Sequence, residues 1–229
     1  TGFIPERNKQ MTVVAIEIDA QCSFSELCPE ELPVAGALSI VSELNFQASL
    51  SDYRICCKEA HSPRAHWVTT DDSQNGRSFT HAQGIATYWK LHCVPGMLGF
   101  ESLPGLPSIQ AYDLIIYKGL EDDLHPMGAC YHDVQGKISS GLIEWLQVKK
   151  ASLLIVGGLV IEYCVGETVQ QLLAADKNWT IVLYLPACKG MDQNRTQQAL
   201  ELLEKQGVIL AQDQLHLKNI IQSVSSKFN

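Results

Sequence analysis

Short, near-continuous apolar runs recur along the chain, and between them the apolar positions change to helical spacing. The runs are "TVVAIEID" (12–19), "YRICC" (53–57), "YDLIIYK" (112–118), "SLLIVGG" (152–158) and "WTIVLYL" (179–185), with "GVIL" (207–210) as a short sixth. Most are rich in β-branched or aromatic residues and all are too short for helices, so they predict strands. Their lack of polar alternation predicts burial on both faces, as in a parallel sheet. Among the intervening segments, Ile138, Leu142, Trp145 and Leu146 fall on one helical face, as do Ala199, Leu202 and Leu203, with Thr196 available as a cap and Gly207 as a stop. A further helix is expected from about Val165 to Ala175. This alternation predicts an α/β three-layer sandwich: a mostly parallel, doubly wound sheet of about six strands with helices on both faces.

Composition adds bounds. The 229 residues, 46% hydrophobic and 18% charged, suit a single domain over 1–229 with its core at about 12–210. The polar, turn-rich stretch "TDDSQNGRSFTHAQGIATY" (70–88) is expected to be a long surface loop inserted in that domain. A net charge of −8 without a basic cluster argues against nucleic acid and anionic membranes as partners. The longest apolar run, Leu153 to Ile161, is too short to cross a bilayer, and no segment has the layout of a signal peptide. The eight cysteines, at 22, 28, 56, 57, 93, 130, 164 and 188, form no CxxC pair, against a zinc ribbon or dithiol motif. They are expected to be reduced thiols in a cytoplasmic protein. Oligomeric state stays open between monomer and homo-oligomer.

In open parallel sheets, ligands bind beyond the carboxyl ends of the strands. The first strand ends at Asp19, the strand over 112–117 at Lys118, and the strand over 152–157 leads through Gly157 and Gly158 to Cys164 at the start of a helix. An acid, a cation and a thiol are thus expected on one sheet edge. A helix N-terminus and a nearby cation lower a thiol's pKa, and a carboxylate can take its proton and return it to a leaving amine. Each residue alone also fits an ordinary role: a core cysteine, a turn-forming aspartate, a solvated lysine. A second set follows the second strand, with Glu59, His61 and His66, joined by His92. A carboxylate with imidazoles suits Zn, Fe, Mn or Ni, while the same residues also fit a polar loop with incidental histidines. His81, His125, His132 and His216 have no such company and are expected to be ordinary.

Taken together these segments resemble the nicotinamidase/pyrazinamidase branch of the isochorismatase-like cysteine hydrolases, over about residues 12–210. The resemblance rests on Asp19-Ala-Gln21-Cys-Ser-Phe24, on Glu59-Ala-His61, on Trp89-Lys-Leu-His92-Cys93-Val94, on Lys118-Gly119, and on Gly158-Leu-Val-Ile-Glu162-Tyr163-Cys164-Val165. It implies an amidohydrolase converting nicotinamide to nicotinate and ammonia through a cysteine thioester. Asp19 would be the general base, Lys118 its charged partner and Cys164 the nucleophile. The backbone N–H groups of Val160 and Cys164, set by a cis peptide at Leu159–Val160, would form the oxyanion hole. Phe24 and Trp89 would flank a flat aromatic ring. Glu59, His61 and His92 would ligate a divalent transition metal, zinc first with iron or manganese as alternatives, and His66 is a further candidate ligand. The expected partner is a small-molecule amide. Three departures bear on the pocket: Glu59 stands where the family usually has Asp, Lys90 where it has Pro, and Met127 where it often has Tyr. Two other readings remain, a related hydrolase of another amide or ureide, and a non-catalytic α/β binding protein.

Overall fold

The computed structural model describes residues 11–81, 84–123 and 125–228. Six strands form the main sheet: β1 (Val13–Ile18), β2 (Tyr53–Glu59), β5 (Leu114–Lys118), β6 (Leu153–Leu159), β7 (Thr180–Lys189) and β8 (Ile209–Ala211). Their order is β5-β2-β1-β6-β7-β8, and every neighbouring pair is parallel. β1 and β6 are buried along their whole lengths, as their continuous apolar runs require.

Alternation along each strand divides the core between two faces. Val14, Ile16 and Ile18 of β1 join one cluster with residues of α2 (Leu142–Val148), α3 (Gly166–Ala175) and α4 (Gln193–Lys205). Val13 of β1 and Leu153 and Ile155 of β6 join a second with residues of α1 (Val41–Ser49) and α5 (Gln214–Ser225). Helices therefore cover both faces of the sheet, giving the three layers.

The chain winds outward in opposite directions from β1 and β6, so the strand order reverses between them. Such a switch point opens a crevice at the strand carboxyl ends. Gly158 of β6 keeps it tight: paired with Ile18, it has φ +133°, and a Cβ there would lie 2.0 Å from the Ile18 carbonyl oxygen. Only glycine tolerates both the approach and that conformation.

Several elements differ from expectation. The polar stretch 70–88 is not all loop: β3 (Ser78–His81) and β4 (Gly84–Thr87) pair as an antiparallel hairpin, with Phe79 stacked on Tyr88 at 4.1 Å. Its few apolar residues were outnumbered by turn formers, which hid the strands. α2 starts at Leu142, not Ile138, because Gly141 turns the chain at φ +89° and Ile138 stays exposed. α4 is capped by Asp192, which accepts from the Arg195 N–H, whereas Thr196 donates to Glu162. A π-helical turn (Ile161–Val165) precedes α3. Helix α5 extends the packed core beyond residue 210 through Leu217, Ile220 and Val224. Among the described residues no helix is long and apolar enough to cross a membrane. The expected domain's first ten residues and the His81 side chain lie outside the described residues.

Candidate active site

Three strand ends bring Asp19, Lys118 and Cys164 together. Asp19 follows β1 with φ 49°, its N–H bonded to the Cys57 carbonyl at 2.9 Å. Lys118 ends β5, and Cys164 lies in the π turn after β6. All three are buried. Lys118 Nζ lies 2.9 Å from Asp19 Oδ2, 2.8 Å from Glu59 Oε1 and 3.3 Å from Cys164 Sγ. Asp19, Glu59 and Cys164 each place a side-chain atom within 4.8 Å of the others. Asp19 Oδ1 has no hydrogen-bond partner among the described residues, so it is an open acceptor inside the cluster.

Burial sets the proton positions. It pushes Asp19 up to about 7, against the pull of Lys118 and with the push of Glu59. It also holds the Cys164 thiol well above its ordinary value; Lys118 opposes this, but Glu59 and Asp19 reinforce it. The expected thiolate-stabilising effect of the helix start and lysine is therefore overridden, and the resting sulfur keeps its proton. Burial alone would discharge Lys118, but the neighbouring carboxyl groups of Asp19 and Glu59 keep it charged, well above the usual lysine value.

Glu59, the last residue of β2, joins this cluster to a histidine group. Its Oε2 lies 3.0 Å from both His61 Nε2 and His92 Nε2. The other ring nitrogens, the Nδ1 atoms, meet backbone carbonyls: Gly119 at 2.8 Å for His61 and Lys90 at 2.6 Å for His92. A carbonyl only accepts, so each Nδ1 donates, and a neutral ring then turns a lone pair toward the carboxylate. Burial holds His61 below its ordinary value despite Glu59, favouring the neutral ring. Lone pairs 3.0 Å from a carboxylate repel unless a cation lies among them. Imidazoles around a carboxylate fit a divalent transition metal better than magnesium or calcium, which prefer oxygen ligands. Gly119 is needed for this cradle: its φ is +70°, and a Cβ would lie 2.2 Å from the His61 ring.

The third imidazole is not the expected one. His66 lies at the surface, its side chain 60% exposed and 3.3 Å from Asp123 Oδ1. His125, expected to be ordinary, is buried with Nε2 3.3 Å from Glu59 Oε1. No spacing motif pointed to it, since it reaches the group from the loop after β5. His132 and His216 stand outside the group.

A cleft opens over Cys164 and the histidines. Phe24, Trp89, Met127 and Val160 line it, as do Tyr163, read from sequence only as part of the cysteine motif, and Met191, which sequence reading did not single out. Phe24 meets His92 edge-on at 5.7 Å, and Trp89 meets Tyr163 edge-on at 5.2 Å. The Leu159–Val160 peptide is cis. The Val160 carbonyl accepts from the Tyr163 and Val165 N–H groups, folding the turn that holds Cys164. Glu162 braces that turn against the start of α4 by accepting from the Met191 and Asp192 N–H groups at 2.7 and 2.8 Å.

No protein-family model and no curated protein sequence matches the chain. Solved structures do share its fold. An Acinetobacter baumanii nicotinamidase/pyrazinamidase is similar with a TM-score of 0.78 at 22% identity, covering 88% of this chain and 96% of that one. The yeast nicotinamidase bound to the inhibitor nicotinaldehyde gives 0.74 at 16% identity, covering 88% and 100%. The zinc complex of the Pyrococcus horikoshii pyrazinamidase gives 0.68 at 20% identity, covering 88% and 99%.

Proposed function

We propose that this protein is an amidohydrolase that converts nicotinamide to nicotinate and ammonia through a thioester on Cys164. The observation that carries this reading is Lys118 Nζ, set 2.9 Å from Asp19 and 3.3 Å from Cys164 at the switch point of the sheet. The shared fold with nicotinamidases supports the substrate class, as does a cleft walled by Phe24 and Trp89, suited to a flat ring. The buried cysteine, aspartate and lysine beneath that cleft favour it over a non-catalytic binding role.

In this mechanism Asp19 takes the Cys164 proton as the sulfur attacks the carboxamide carbon. The new S–C bond moves the carbonyl electrons onto oxygen, which the N–H groups of Val160 and Cys164 hold. As the adduct collapses, the C–N bond breaks and the proton on Asp19 goes to nitrogen, releasing ammonia. Water then attacks the thioester while Asp19 takes its proton. The C–S bond breaks, the proton on Asp19 returns to sulfur, and the acid formed leaves as nicotinate, its own proton passing to solvent or to the released ammonia. Lys118 offsets the negative charge that passes between Asp19 and Cys164 in each half-reaction. Glu59, His61 and His92 would hold a divalent metal, with zinc the first expectation, which would supply a fixed positive charge beside the cleft for the substrate's ring nitrogen.

Nicotinamide, benzamide and a small ureide, offered in parallel with ammonia release as readout, test this assignment. Nicotinamide should be hydrolysed fastest, because benzamide has no ring nitrogen to meet that charge. Preference for the ureide would favour the related-hydrolase reading, to which Met127 in the cleft wall points. No release from any of them would overturn the amidohydrolase. The pH profile supplies a second check. Asp19 must start as a carboxylate, and burial puts its midpoint at about 7, so kcat/KM for nicotinamide should fall as pH drops below that value. A flat profile down to pH values near those of ordinary carboxylates would contradict its role.

A further inference from the structure

His125 lies outside every motif that drew attention to this site, yet it completes the group around Glu59. We propose that His125 is a fourth protein ligand of the metal, closing a sphere of three imidazoles and one carboxylate. This rests on the metal-binding reading of Glu59, His61 and His92, and it does not depend on which amide is cleaved.

Spacing is the first support. Ligands about 2.0–2.1 Å from a zinc-sized centre in a tetrahedron sit about 3.3–3.4 Å from one another. Glu59 Oε2 lies 3.0 Å from both His61 Nε2 and His92 Nε2, and the other oxygen of the same carboxylate, Oε1, lies 3.3 Å from His125 Nε2. One ligand atom from each of the four residues falls within 4.8 Å of all the others.

The second support is that His125 lacks any other use for its polar atoms. The residue is buried, and neither ring nitrogen has a hydrogen-bond partner among the described residues. Buried polar atoms without partners are uncommon and call for a ligand, an ion or a water. A carboxylate oxygen at 3.3 Å makes a cation the fitting one.

The ring is also held in place, as a ligand must be. It stacks on His92 at 5.6 Å with planes 19° apart, and it packs against His61 at 4.4 Å and Trp67 at 4.7 Å. Four protein ligands close a zinc site, whereas three leave an open position. With His125 bound, the substrate ring nitrogen would meet the metal only as a fifth ligand or through its field. The competing role is a wall residue: His125 also lines the cleft with Cys164, and there it would touch substrate without touching metal.

Loading with cobalt(II), whose visible bands are intense when four-coordinate and weak when six-coordinate, separates the two. The wild-type protein should show intense bands. His125→Ala should lose intensity and weaken cobalt affinity by at least about tenfold, the lower end of what even outer-sphere substitutions cost a metal site. Free imidazole should restore the bands in that variant by filling the vacated position. His125→Gln, closer in size, should behave like the alanine variant and keeps the test available if alanine unfolds the loop. His66→Ala should leave both bands and affinity unchanged. Unchanged bands and affinity in both His125 variants would overturn the proposal, as would failure of the wild-type protein to bind cobalt. Intense wild-type bands lost on His125 substitution would support it even if no amide were hydrolysed, so the two readings can fail separately.

Discussion

Cys164→Ala is expected to lower the rate of ammonia release from nicotinamide by about 10⁴-fold or more, the scale seen when a nucleophile that acts with its base as a unit is removed. The fold should survive, because alanine is smaller than cysteine and Lys118 keeps its contacts with Asp19 and Glu59, and the cleft still has its ring walls in Phe24 and Trp89. Substrate binding should therefore persist in the variant, detectable by ligand-dependent thermal stabilisation without turnover. Substitution of Cys93 or Cys188 should not reproduce the loss. Both are buried like Cys164, but neither is joined to Lys118 and Glu59 by the contacts that surround the Cys164 sulfur. Turnover by Cys164→Ala at a rate near wild type would remove the thioester from the mechanism.

Lys118→Met should reduce both activity and stability. Methionine nearly fills the space, so the loss is electrostatic. The substitution leaves Asp19 and Glu59 buried without the ammonium 2.9 and 2.8 Å away. Breaking a buried pair by removing one partner typically destabilises by about 3–5 kcal/mol, visible as a lower denaturant midpoint at neutral pH. The pH dependence has a definite sign. Asp19 already sits at about 7 with Lys118 present, and loss of the cation raises it further. Between the ordinary carboxylate value and that raised value, the folded variant binds the proton that the unfolded chain releases. Its stability therefore falls as pH rises through this window and recovers as pH falls. The wild type shares this dependence up to about 7, so the gap between variant and wild type should widen as pH rises above that value and be smaller below it. A gap constant from pH 5 to pH 8 would show that Lys118 does not set the charge balance of the cluster.

The sheet was legible because its strands announce themselves. Runs such as that in β6 are buried on both faces, so nothing polar interrupts them, and their order with intervening helices leaves few topologies. The convergence of Asp19, Lys118 and Cys164 followed from the same rule, since parallel strands present their carboxyl ends on one edge. Features built from long-range contacts were not legible. His125 has no neighbouring acid at a ligand spacing, and only the path of the loop after β5 brings it to Glu59. His66 carried a suggestive spacing, but the loop turns it outward to Asp123. The protonated state of Cys164 was also hidden, because it depends on total burial and on Glu59 reaching within 3.5 Å of the sulfur. The hairpin of β3 and β4 was masked by the polar residues around it, and its pairing, not its composition, identifies it.

Incubation of the metal-loaded protein with nicotinamide, with nicotinate and ammonia measured in the same sample, decides whether Cys164 carries an amide hydrolysis. Equal amounts of both are expected, formed over many turnovers and abolished when Cys164 is replaced. Absence of both products, or their undiminished formation by Cys164→Ala, would contradict that role.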